Sequence, residues 1–116
     1  MGDRGNVKLI FGKEESPIYF YTHWQGTNLP EIVRHALIRG RSRWNDPSYL
    51  ARIIFSEMIR NEVDELTGYG IAPFQTDSNH DDVEVCLDAM TVALRHEPAQ
   101  SFSDYVKRQD LAGMGG

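Results

Sequence analysis

The residues best equipped for chemistry crowd into the first 44 positions. The stretch "YFYTHWQG", residues 19 to 26, sets Tyr19, Phe20, Tyr21, His23 and Trp24 within six positions, with Gln25 next. "RHALIRGRSRW" then carries Arg34, Arg39, Arg41 and Arg43 up to Trp44, and Arg4 stands near the N-terminus. Aromatic rings stack on planar ligands, and arginine holds phosphate through charge-assisted hydrogen bonds. A loop feeding a helix, as "THWQGTNLP" does, offers backbone N–H groups to an anion. Arg4, Tyr21, His23, Trp24, Gln25, Arg39, Arg41, Arg43 and Trp44 are therefore the expected ligand-binding set, suited to a nucleotide-like anion. Plainer roles compete with this one. Cross-strand aromatic residues stabilise sheets, and Arg39 and Arg41 can complement a helix C-terminus.

Other chemistry is sparse. Histidine is the residue type best suited to general-base work, which makes His23 the one candidate, but nothing else supports catalysis, so no catalytic residue is assigned and the reading leans away from an enzyme. Cys86 stands alone in a strand pattern and reads as a small apolar residue. A single cysteine excludes an internal disulfide and a multi-thiolate zinc site. "DSNHDD" offers Asp77, His80, Asp81 and Asp82 as metal ligands without the glycine and distal glutamate of an EF-hand loop, which favours a solvated turn. Motifs of nucleotide hydrolases, proteases and kinases are absent. Neither a metal nor a cofactor is implied.

The elements that would position these residues follow from periodicity. "NVKLIF" (6 to 11) and "IYFYTHW" (18 to 24) alternate as strands around a polar loop, which predicts a hairpin. Within the second strand, Ile18, Phe20, Thr22 and Trp24 share one face and Tyr19, Tyr21 and His23 the other. "NLPEIVRHALIRG" (28 to 40) reads as a helix with Asn28 as N-cap and Gly40 as its stop. "NDPSYLARIIFSEMIRNEVDEL" opens a second helix at Asp46 and Pro47, with a wide apolar stripe from Leu50 to Ile59. "TGYGIAPF" is a short strand, "VEVCLDAMTVALR" a hairpin turning at Asp88-Ala89, and the tail a short helix from Ser101 that frays at about 112–116. The expected order is ββααβββα. It implies one α+β domain over 1–116, with a mostly antiparallel sheet and helices packed on one face.

Bulk properties bound the partners. The 116 residues carry a formal charge of −5, which argues against general nucleic-acid binding. Residues 1 to 43 are net +3 and residues 44 to 116 net −8, a polarity able to steer an anion to one side. No apolar run reaches membrane-spanning length and the N-terminus lacks a secretory signal, so a cytoplasmic protein without membrane contact is expected. Tyr19 and Tyr21 on an open sheet face predict a homo-oligomer, a dimer first.

Taken together, "GDRGNV", "YTHWQGTNLP", "RWNDPSYLARIIFSEMI" and "TGYGI" resemble a family of short uncharacterised proteins of bacteriophages, prophages and bacteria. The resemblance spans about residues 2 to 72, with Gly5 where alanine is expected. It implies a phage-type binding protein acting in the host cytoplasm. Three functions follow: sequestration of an anionic signal molecule in counter-defence, inhibition of a host defence protein through the acidic C-terminal half, and a small enzyme using His23.

Overall fold

The computed structural model describes residues 2–112. The strands are β1 (Gly5–Ile10), β2 (Ile18–Thr22), β3 (Tyr69–Ala72), β4 (Val83–Cys86), β5 (Thr91–Ala93) and β6 (Gln100–Ser101). The helices are α1 (Leu29–Arg39), α2 (Pro47–Met58) and α3 (Phe102–Tyr105). The strands form one mixed sheet in the order β3-β2-β1-β4-β5-β6. Among the described residues only the β1–β4 pair is parallel; the others are antiparallel. The α+β architecture with a mostly antiparallel sheet is thus as expected. The element order is ββααββββα, because a two-residue strand β6 precedes the last helix. Residues 113–116 of the expected fraying tail lie outside the described residues.

Register explains which residues make the core. Val7 stands opposite Phe20 and Val83, and Leu9 opposite Ile18 and Val85, so apolar rows run across the sheet on one face. α1 covers them with Val33, Ala36 and Leu37, and α2 with Leu50, Ile54 and Met58, all buried. α2 starts as expected, with Pro47 in the first turn and Asp46 accepting from the Tyr49 N–H. It ends at Met58, two residues short of the expected 46–60 span, with Ile59 as its C-cap. Among the described residues no helix is long and apolar enough to cross a membrane.

Three local departures position the site. β2 stops at Thr22, not Trp24. The buried Thr22 hydroxyl accepts from the Trp24 and Gln25 N–H groups at 3.2 and 3.1 Å, a side-chain turn that breaks the strand. Trp24 therefore does not share Phe20's face. The β4–β5 connection uses four residues and a positive φ at Met90 instead of a two-residue Asp88-Ala89 turn. Finally, β3 is an edge strand while β4 lies beyond β1, so the 73–82 connection must cross two strands. It crosses on the side away from the helices. There the Asn6 side chain donates to the Thr76 carbonyl and accepts from the Thr76 hydroxyl, at 2.9 and 2.7 Å, and Asn6 is fully buried. The face expected to stand open around Lys8, Ile10, Tyr19 and Tyr21 is thus partly covered, and these four are half-buried.

Candidate functional site

Three chain segments meet where β2 ends. The Asp3 N–H donates to the His23 carbonyl and the Gly26 N–H to the Asp3 carbonyl, both at 2.8 Å; the His23 N–H donates to the Gly68 carbonyl at 2.7 Å. Trp24 lies across Gly68. A Cβ at Gly68 would stand 2.5 Å from Trp24 Nε1, and Gly68 has φ +97°. Glycine is required there on both counts. The outer side of the Trp24 ring stays free, with 52% of the residue exposed. His23 packs edge-on against it at 4.2 Å between centroids, and its Nδ1 lies 3.0 Å from the Tyr21 hydroxyl.

The helix start expected to receive an anion already holds one. Asp3 Oδ2 accepts from the Thr27 N–H at 3.0 Å, and Oδ1 pairs with His80 Nε2. Asn28, the expected cap, makes no side-chain capping bond. Burial pushes the Asp3 carboxyl up, but the bonds from Thr27 and His80 outweigh it and hold it below the usual carboxylate range. The expectation of a phosphate at this helix start is thereby corrected: the chain's own carboxylate fills the place. "DSNHDD" is not a solvated turn at His80 either, whose side chain is only 11% exposed. An Asp–His pair can orient an imidazole for base chemistry, but His80 Nδ1 is buried without a hydrogen-bond partner, so it faces no substrate hydroxyl. The pair pins the N-terminal segment to the 73–82 connection. Asp81 pairs with Arg95 at 2.8 Å and Asp82 accepts from Gln75 at 2.9 Å. Among the described residues no group of three or more His, Cys, Asp or Glu side chains is placed to hold a metal.

Gln25 is a brace. Its amide donates to the Met58 carbonyl at 3.4 Å and to the Tyr69 hydroxyl at 3.0 Å, and that hydroxyl donates to Glu62 Oε1 at 2.7 Å. The end of α2 and the start of β3 are tied to the Trp24 corner by this chain. Burial, with Glu62 adding to it, raises the Tyr69 phenol above its ordinary pKa.

The other expected residues sit elsewhere. α1 has eleven residues, so its two ends are about 16 Å apart. Arg39, Arg41, Arg43 and Trp44 gather at the far end. Arg39 pairs with Glu57 at 3.0 Å and bonds the Ser56 hydroxyl. Arg41 stacks 4.9 Å from the Trp44 ring and Arg43 5.3 Å from the Tyr49 ring. Trp44 is not a free platform: its indole N–H donates to the Leu37 carbonyl at 2.8 Å and its ring meets Phe102 edge-on. The expected nine-residue set therefore divides in two. Arg4, Tyr21, His23, Trp24 and Gln25 belong to the near end. The Arg4 N–H donates to Asn79 Oδ1 at 2.9 Å and the Arg4 carbonyl accepts from the Asn79 N–H at 3.0 Å, while Arg4 Nε is buried without a hydrogen-bond partner.

One surface escaped the sequence reading. Val63, Leu66, Ile71 and Phe74 are all exposed, Leu66 at 99%. They lie along β3 and its two connections, the first of which meets Trp24 at Gly68. From Asn61 to Leu94 the chain has no lysine or arginine, yet it has Glu62, Asp64, Glu65, Asp77, Asp81, Asp82, Glu84 and Asp88. That charge asymmetry was the available signal. Compared with protein-family models, with curated proteins and with solved structures, the chain matches none.

Proposed function

We propose that the protein is a non-catalytic binding protein that engages another protein through the corner made by Trp24, the 61–68 connection and edge strand β3. One observation carries this reading. Among the described residues eight large apolar side chains stand exposed, and four of them (Val63, Leu66, Ile71 and Phe74) lie on β3 and its connections, with Trp24, a fifth, against Gly68 at the start of β3. Scattered exposed apolar residues mean little, but a run of them on and around an unpaired sheet edge marks an interaction surface. The resemblance to phage and prophage proteins supports a host protein as the partner and counter-defence as the purpose, in the host cytoplasm.

Photo-crosslinking in bacteria tests it. Benzoylphenylalanine at position 71 should form covalent adducts with a protein, while the same group at position 52, on the exposed side of α2, should not. Equal labelling from both positions, or none from 71, would remove the docking reading.

A second reading, an anionic small molecule at Arg4, His23 and Trp24, draws on the open Trp24 ring packed against His23. Heating the purified protein and analysing the supernatant by mass spectrometry separates the two. A stoichiometric phosphorylated compound would favour the small molecule.

A further inference from the structure

The exposed edge specifies what docks on it. β3 pairs with β2 on one side only, so along its other side alternate residues turn N–H and C=O groups outward without partners. The sheet's opposite edge is blunted, since β6 has two residues and runs directly into α3. β3 is short and closed by Pro73, but Tyr69–Ala72 contains neither a charged side chain nor a proline. Ile71 stands opposite Phe20 in the register, so it extends the core-side apolar row one strand beyond β2. It is exposed because nothing lies beside it. A further strand would give that row its next member.

Charge selects the occupant. The connections on both sides of β3 belong to the segment with eight carboxylates and no lysine or arginine. Among the described residues no cation lies within ion-pair distance of Glu62, Asp64, Glu65 or Asp77. A second copy of the chain docking through the same edge would bring two such segments together, and opposed like charges destabilise. We propose that β3 receives an extended, lysine- or arginine-rich segment of the partner protein, which joins the sheet as a seventh strand. Backbone bonds to β3 give the affinity. Apolar side chains at alternate positions continue the core-side row beside Ile71, and the basic ones between them face the acidic connections. This rests on the docking reading above and adds the chemistry of the partner.

The test uses the full chain and three synthetic octapeptides: alternating Lys-Val, alternating Glu-Val, and alternating Lys-Gly, which is basic but a poor strand former. Amide exchange and chemical shifts are followed by NMR. The Lys-Val peptide should slow exchange at outward-facing amides of residues 69–72 and shift the Trp24 indole, with affinity falling steeply as salt rises. Asp64→Lys combined with Glu65→Lys, both exposed, should weaken it roughly tenfold. Equal binding of the Glu-Val or the Lys-Gly peptide, or protection that avoids 69–72, would overturn strand addition by a basic segment. A free protein that sediments as a dimer with those amides already protected would overturn it in favour of a second copy. Crosslinks from position 71 without any effect of the Lys-Val peptide would retain docking and remove only the strand-addition proposal. Absence of both removes the two together.

Discussion

The two ends of α1 hold similar side chains and use them oppositely. Each end has a tryptophan and a hydrogen-bonding turn. At the C-terminal end Trp44 is packed against Phe102 and bonded to the Leu37 carbonyl. At the N-terminal end Trp24 lies on Gly68 with half its surface in solvent. Helix polarity accounts for the difference. The last turn of a helix leaves carbonyls unpaired, and an indole can only donate, so Trp44 meets an acceptor. The first turn leaves N–H groups unpaired, which an indole cannot satisfy. There the carboxylate of Asp3 is the matching group, and it takes the Thr27 N–H. Trp24 is displaced from the helix end and becomes surface.

The comparison makes Trp44→Ala the most damaging change. It removes a ring from the junction of α1 and α3 and leaves the Leu37 carbonyl without its donor, so a loss of about 3 kcal/mol is expected. Urea unfolding of the variant measures this. A loss below about 1 kcal/mol would mean that the two tryptophans are equally peripheral and that the contrast fails.

Gly68→Ala comes next, with an expected loss of about 1 to 2 kcal/mol. An alanine at φ +97° is strained, and its Cβ would meet the Trp24 indole. The variant should also move Trp24 off the 68–69 backbone and shift its fluorescence to the red. Unchanged emission would show that Trp24 does not depend on Gly68 for its position.

Much of the fold was legible because it depends on local pattern. Val7 and Leu9 alternate, Asp46-Pro47 caps α2, and the α2 stripe is buried where its spacing placed it. The site was legible only in part. Tyr21, His23, Trp24 and Gln25 are consecutive or nearly so, and the chain keeps them together. The arginines were assigned to them by proximity in sequence, which an eleven-residue helix undoes. Asp3 and His80 are 77 positions apart and meet through the crossing of the 73–82 connection, which no local pattern encodes. The Thr22 hydroxyl that ends β2 looked like one more β-branched strand residue. The exposure of Ile71 depends on β3 being the outermost strand, a matter of pairing order rather than of composition.

Asp3→Asn should cost about 1 kcal/mol at neutral pH, since amide oxygen still accepts from Thr27 but the charge facing His80 is lost and about a third of the side chain is solvated. The sign of its pH dependence follows from the lowered pKa. The contribution of Asp3 is fully present above the unfolded carboxyl value of about 3.9 and is lost as pH falls through the lower folded value. The wild type should therefore lose stability below about pH 4 more steeply than Asp3→Asn. Glu31, held low chiefly by its bond from Arg34, contributes an acid limb of the same sign in both proteins. Urea unfolding at pH 7, 4 and 3 gives the two slopes, and parallel slopes would mean that Asp3 is no better stabilised folded than unfolded.

Trp24→Ala should have the smallest effect on stability, below about 1 kcal/mol, because half of the residue is already in water and its N–H closes no helix end. Its effect on docking should be the reverse. A large, half-exposed ring beside the start of an unpaired edge strand is the kind of residue that dominates an interface, and its truncation should weaken binding of the Lys-Val peptide at least roughly tenfold. The same substitution therefore separates two roles that Trp44→Ala cannot. A variant that unfolds easily and binds normally would place Trp24 with Trp44 as core. A variant that folds normally but leaves the β3 amides unprotected by peptide assigns the ring to recognition. The two ends of α1 would then differ in function as they do in polarity: one closes the fold and the other presents a surface.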